Sequence, residues 1–253
     1  MKVTDSFCYL GSTLSNNASL DKEIDARLAK ANAAFGALRR RLWDDHGVRL
    51  DTKVAVYRAV VLTTLLYGSE SWTTYRHQIK KLDRFHMKCL RQITHIKWQD
   101  YIPNTTVLNK CKITGIEAFL IANQLRWAGH VARMDDQRIP KRLLYGQLSS
   151  GTRAVGAPIK RYKDQLKANL EKNGLSSKRF AELTEDRNEW RRQCHEACVR
   201  FEQQRIDLMK WKREKRKDES LHSVADVFNC SVCNRVCRSK IELYAHQKIH
   251  TTR

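Results

Sequence analysis

Residues 21–43 read DKEIDARLAKANAAFGALRRRLW, and the spacing of their apolar members decides the kind of fold this chain adopts. Ile24, Leu28, Ala31, Phe35, Leu38 and Leu42 recur in alternating steps of four and three. Those steps put all six on one side of an amphipathic helix. Asp21 and Glu23 stand near its start and Arg39, Arg40 and Arg41 near its end, as the helix dipole favours. The arginine triplet has two readings, a helix-end cap or a phosphate clamp.

The same period recurs along the chain. Thr52 to Tyr67 is apolar on most sides and reads as a central helix that Gly68 can end. Gln78 to Thr94 turns Ile79, Leu82, Phe85, Cys89, Leu90 and Ile93 inward. Tyr101 to Thr114 is mixed, with a break at Pro103. Ile116 to Met134 carries Phe119, Leu120, Asn123, Trp127 and Val131 on one face. Ile159 to Lys172 and Ser177 to about Asp218 read as two further helices, the last losing its apolar face after Leu208. Strand is expected only around Phe7–Leu10 and in a terminal hairpin. The expected fold is mostly α, a multi-helical body followed by a long basic helix and a small ββα unit. The expected divisions are 1–148 as helical body, 149–158 as loop, 159–220 as helical basic linker and 226–253 as terminal module.

Lys and Arg total 48 against 27 Asp and Glu, a formal charge of +21. Such a field selects polyphosphates or an anionic surface as partner. The most apolar run, Ala59–Tyr67, is far shorter than the roughly 20 residues of a spanning helix, and Met1–Ser6 is not an apolar leader. Eight cysteines without such a leader suit a reducing compartment, where paired cysteines hold metal more often than disulfides. Nucleic acid is the expected partner and a membrane is not.

Residues 228–250 read FNCSVCNRVCRSKIELYAHQKIH. Cys230 and Cys233 are two residues apart, His246 and His250 three, and twelve residues separate the pairs. A CxxC turn offers two thiolates from one knuckle, and histidines one helical turn apart offer two imidazoles from one face. Together they supply the four corners of a tetrahedral zinc site, with Phe228 and Leu243 as a small apolar core. The stretch resembles a C2H2 zinc finger, which implies a ββα fold with Zn2+ as cofactor. Cys237 stands where such fingers carry a core phenylalanine and reads as a small hydrophobe. The positions such fingers turn toward bases are Ser239, Glu242 and Ala245, none of them able to make a bidentate base contact. One finger spans only about three base pairs. The module therefore reads as a phosphate binder through Arg235, Arg238, Lys240 and Lys248.

Lys210, Lys212, Arg213, Lys215, Arg216 and Lys217 surround Trp211 in a dense basic run. It has three readings: a backbone-binding segment, a nuclear import signal or a solvated linker. Its place between body and finger favours a linker that grips phosphates, and nucleus as location, with cytoplasm second.

Five segments of the body resemble, in order, stretches of non-LTR (LINE-like) retrotransposon reverse transcriptases. FCYLGSTL at 7–14 is similar to their FxYLGS segment and LYGSESW at 66–72 to LYGSExW. LRWAGHVARM at 125–134 resembles LRWxGHVxRM. Gly156-Ala-Pro158 with Arg161-Tyr-Lys-Asp164, and DRNEWR at 186–191, echo GxPxxRWxD and DRxxWR. The resemblance implies the region that follows the polymerase palm, ending in a finger. A reverse transcriptase needs paired aspartates in a β-hairpin to hold two magnesium ions about 4 Å apart. Here Asp44-Asp45 and Asp135-Asp136 both follow helical stripes and read as solvated helix ends. The expectation is a non-enzymatic, zinc-binding and nucleic-acid-binding C-terminal fragment. Its expected partners are RNA or DNA and the polymerase domains that would precede it. The alternative is a free-standing C2H2 DNA-binding or protein-interaction protein. Cys194 and Cys198 read as helix-packing residues, His77, His86, His95 and His130 lack a paired nucleophile, and Trp72, Trp98, Trp127 and Trp190 read as core.

Overall fold

The computed structural model describes residues 6–16, 19–146, 156, 159–222, 228–237 and 239–251. Two compact units divide it, Met1–Gln203 and Gln204–Arg253. The sequence-predicted loop at 149–158 lies outside the described residues apart from Gly156.

The first unit opens with an antiparallel hairpin, β1 (Ser6–Tyr9) against β2 (Ser12–Ser15), with Phe7 opposite Leu14 and Tyr9 opposite Ser12. The two turn residues, Leu10 and Gly11, both have positive φ, 46° and 83°. That is the geometry that matches strand twist in a two-residue turn. Helix α1 (Asp21–Ala37) follows and fastens the hairpin from below. Arg27 Nη2 donates to Gly11 O at 2.7 Å, while Glu23 accepts from Thr13 N at 2.5 Å and from Arg27 Nε at 2.7 Å. Glu23 and Arg27 are 3% and 4% exposed, so their charges are compensated almost entirely by each other and by the turn. Tyr67 closes the arrangement, donating to Leu10 O and lying under the Arg27 guanidinium.

The stripe at 21–43 does not stay a single α-helix. After Ala37 the backbone widens into a π turn, Arg39–Trp43, with Asp44 N bonded to Arg39 O. The wider turn swings the Trp43 indole inward to stack on Phe35 at 4.9 Å and to donate to Phe35 O. A second π segment, Tyr57–Leu62, interrupts the helical run between α2 (Leu50–Val56) and α3 (Thr63–Leu65). Beyond Gly68, at φ 74°, come α4 (Arg76–Ile93), α5 (Asn104–Lys110) and α6 (Ile116–Ala132). Gln78 caps α4 by accepting from Tyr75 N. His86, fully buried, sits between the Tyr57 hydroxyl (2.8 Å to Nδ1) and Thr114 O (3.1 Å to Nε2). Nε2 therefore donates to the carbonyl and Nδ1 accepts from tyrosine, a satisfied core histidine.

Helices α7 (Ile139–Tyr145), α8 (Tyr162–Lys172), α9 (Phe180–Glu185) and α10 (Arg187–His222) complete the helical part. The continuous helix expected from Ser177 is broken at Asp186, which is extended at ψ 113°. Its Oδ1 accepts from Asn188 N and Glu189 N and starts α10 afresh. Helix α6 is the spine of the unit. Its Ile116 and Leu120 belong to a first apolar cluster with Ile24, Trp43, Tyr57, Leu82 and Leu90. Its Ile121, Leu125 and Ala128 belong to a second with Leu166, Leu170, Phe180 and Trp190. Each large side chain so covered contributes about 1.5–3 kcal/mol. No helix among the described residues is long and apolar enough to cross a membrane.

In the second unit, β3 (Phe228–Asn229) pairs antiparallel with β4 (Val236–Cys237), and α11 (Lys240–Thr251) follows. The architecture is mostly α with a small ββα end.

Candidate metal centre

The β3–β4 turn is built around two cysteines. Cys230 N donates to Arg235 O at 2.9 Å and Asn234 N to Cys230 O at 2.8 Å. Asn234 adopts φ 57°, a left-handed conformation asparagine accepts more readily than most residues. The closed knuckle turns both thiols to one side. Ser239 Oγ then accepts from Glu242 N and starts α11, whose His246 and His250 lie one turn apart.

The four ligand atoms of Cys230, Cys233, His246 and His250 all lie within 4.8 Å of one another. Cys233 Sγ stands 3.0 Å from His246 Nε2, and the two Nε2 atoms stand 3.2 Å apart. Two thiolates and two imidazoles bonded at about 2.0–2.3 Å to a tetrahedral ion are separated by about 3.3–3.8 Å. The observed separations, from 3.0 Å up to 4.8 Å, bracket that range, so the side chains present fit a metal ion. The Val232 and Cys233 N–H groups turned toward Cys230 hold its thiol below its ordinary range, favouring the thiolate that ligates metal. With Nε2 committed to the site, His246 carries its proton on Nδ1, which is buried and has no acceptor among the described residues.

Cys237 is fully buried and stands outside the four-atom group. Burial pushes its thiol up, so it packs as a small apolar side chain. Phe228 and Leu243 are half-buried. The signal that sequence reasoning missed is the backbone: the Val232 N–H and the left-handed Asn234 preset the first cysteine. An asparagine directly after CxxC was the available clue.

Arg235, Lys240 and Lys248 are exposed on this unit, with Lys240 Nζ 5.9 Å over the Phe228 ring and Lys248 Nζ 4.9 Å over Tyr244. Arg238 lies outside the described residues. Lys210, Lys212, Arg213, Lys215, Arg216 and Lys217 are all exposed on α10. At about 100° per residue they point around the whole helix instead of forming one face. The structure does not gather them with the finger's cations into one described site.

The aspartate pairs are occupied locally. Asp44 pairs with Arg39 at 3.3 Å and Asp45 accepts from Gly47 N. Asp135 accepts from Gln137 N and Asp136 pairs with Lys141 at 2.7 Å. Cys194 is buried with its thiol pushed up to about 12, and Cys198, half-buried, to about 11, in both cases by burial. Both pack in the second apolar cluster. Of the tryptophans expected in the core, Trp72 and Trp190 are core, Trp127 is half-buried and Trp98 is 74% exposed.

The chain is 25% identical over 193 residues to an uncharacterised protein of Caenorhabditis elegans described as transposon-derived. The match covers 74% of this chain and 68% of that protein. No protein-family model matches the chain, and no solved structure does.

Proposed function

We propose that the chain is a zinc-dependent nucleic-acid-binding protein of transposon origin, whose tail is a C2H2-type finger. The convergence of two thiols and two imidazoles within 4.8 Å carries this reading, since a Cys2His2 set with that spacing is the donor chemistry zinc takes in closed structural sites. When bound, the ion supplies folding energy to the tail and no redox chemistry. The residues around it do the binding. Arg235, Lys240 and Lys248 on the tail, with Arg238, meet phosphate oxygens, and Lys210–Lys217 on α10 add sequence-independent backbone contacts. Ser239 is occupied in starting α11 and Ala245 has no hydrogen-bonding group, so base discrimination is weak.

The likeness to a transposon-derived protein and the five ordered segments of the body support a finer reading. The body is the portion of a non-LTR reverse transcriptase that follows the palm, a non-catalytic region that acts in the nucleus with polymerase domains encoded alongside it. Zinc titration monitored by hydrogen exchange over residues 228–251, together with oligonucleotide affinity at 50 and 200 mM salt, tests the proposal. The part of the affinity contributed by the tail should need zinc, and binding should fall steeply with salt. Affinity indifferent to both would overturn it.

One observation favours a second reading. Ile241, Tyr244 and Ile249 are 82%, 63% and 63% exposed, an apolar surface suited to a protein partner. A finger that captures protein and shows no affinity for oligonucleotides beyond bulk charge would select that alternative.

A further inference from the structure

The helical body holds a second basic site that lies outside the tail altogether. Arg126 and His130 from α6, Arg133 at its C-terminal cap, and Arg187, Trp190 and Arg191 from the start of α10 line one cavity of 530 Å³. Four arginines line it, and no acidic residue is among the lining residues. None of the four is within ion-pair distance of a carboxylate among the described residues. Of the acids nearby, Asp186 is engaged in starting α10 and Glu189 with Arg192, and Glu70 lines the adjoining cavity. The cradle is fixed from beneath. Trp190, 1% exposed, donates from Nε1 to Leu125 O, 65 residues away, and Arg133 Nη1 donates to Thr184 O at 2.8 Å. Concentrating like charges in this way opposes folding unless an anion offsets it.

An adjoining cavity of 310 Å³ shares Arg126 and His130 and adds Trp127, Asn123 and Glu70. Trp127 and His130 lie 5.4 Å apart, ring to ring. Arginine forks suit phosphate oxygens, and a half-buried indole beside them suits a stacked base. An acidic or phosphorylated peptide would use the first cavity and leave the second without purpose. We propose that this pair of cavities binds a single-stranded nucleic acid, one phosphate in the arginine cradle and the neighbouring base against Trp127. The site makes no use of the metal centre and stands or falls apart from it.

The test uses the full chain and fluorescein-labelled twelve-nucleotide single strands, one DNA and one RNA. Arg126→Gln/Arg191→Gln should lose about tenfold or more in affinity and flatten the logarithmic salt dependence by about 0.7, the one phosphate of the cradle. Without ligand, the variant should melt no lower than the parent at low salt, because repulsion has been relieved. Lys22→Gln/Lys80→Gln removes the same charge from exposed positions and should change little. Trp127→Leu should cost roughly tenfold with the salt dependence intact. These differences should persist in Lys240→Gln/Lys248→Gln, where the tail's phosphate contacts are already weakened. If the arginine variant does not fold, Arg126→Lys/Arg191→Lys keeps the charge and loses only the fork, so affinity should fall with the slope preserved. Three outcomes overturn the proposal: equal losses in the cavity and control variants, an unchanged affinity, or a polyglutamate or phosphoserine peptide of matched charge that binds this site as tightly as the oligonucleotides.

Discussion

In the body, Trp43, Tyr57, Leu82 and Trp190 are almost wholly covered by other side chains; in the tail, only Cys230 and Cys237 are, among the described residues. The tail instead turns Val232, Val236, Ile241, Tyr244 and Ile249 to solvent. A helix and a two-residue-strand hairpin with so little covered surface cannot offset their own ordering entropy. The body is held by burial spread over dozens of side chains, and the tail offers four candidate ligand atoms where such a core would be. The comparison predicts that the two regions fail independently and for different reasons.

Metal removal should give the largest effect. Structural sites of this composition contribute about 10–16 kcal/mol of apparent binding free energy to folding. A chelator, or Cys230→Ser with His246→Ala, should therefore abolish amide protection over residues 228–251. Protection at Tyr57, Leu82 and Leu125 should stay as in the parent. Hydrogen exchange read by peptide distinguishes the regions. A tail that stays protected without metal would end the contrast.

The body breaks differently, through its buried ion pair. Arg27→Met leaves Glu23 buried and without its cation, and removes the donor to Gly11 O. The expected loss is about 3–5 kcal/mol, read as a lower denaturant midpoint with metal affinity unchanged.

How far each region was legible in the sequence follows the same divide. The tail's candidate ligands fall in two close pairs, with two and three residues between the members, so their spacing alone points to the site. The body's helices were legible wherever an apolar stripe ran uninterrupted, as in α4 and α6. Their ends and partners were not. Nothing in the stripe at 21–43 announces that the backbone widens at Arg39 to bring Trp43 onto Phe35. The break at Asp186 depends on one carboxylate choosing two backbone N–H groups over continued helix. The role of α6 in both apolar clusters, and the meeting of Arg126 with Arg187, are properties of tertiary packing that a local period does not encode.

Gly129 makes that point testable. In the sequence it is a glycine within a helical pattern, unfavourable by local propensity. In the structure a Cβ there would fall 2.1 Å from Trp190 Nε1 and 2.4 Å from its Cδ1. The ring cannot retreat without losing its bond to Leu125 O. Gly129→Ala should therefore destabilise the body by about 1–3 kcal/mol through overpacking, although the same change stabilises an ordinary exposed helix. A thermal midpoint equal to or above the parent's would mean that the Trp190 contact does not govern this position.

The smallest effect concerns the charges that tie the body's helices together. Glu117 on α6 receives Lys172 of α8 at 2.5 Å and Arg76 of α4 at 2.8 Å. Burial works to raise its carboxyl, but Lys172 and then Arg76 outweigh it and hold the group below its usual range. A carboxyl lowered in the folded state contributes stability above its unfolded value, about 4.3, and loses it as pH falls through the lower folded value. Both cations are about half or more exposed, so screening limits the contribution to about 1 kcal/mol. Glu117→Gln should accordingly be less stable than the parent by that amount at pH 7. The gap should close as pH drops below about 4 and shrink in 1 M salt. Denaturant midpoints of the two proteins across pH 3–7 check it, and a gap that stays constant to pH 3 would assign the loss to packing instead of charge.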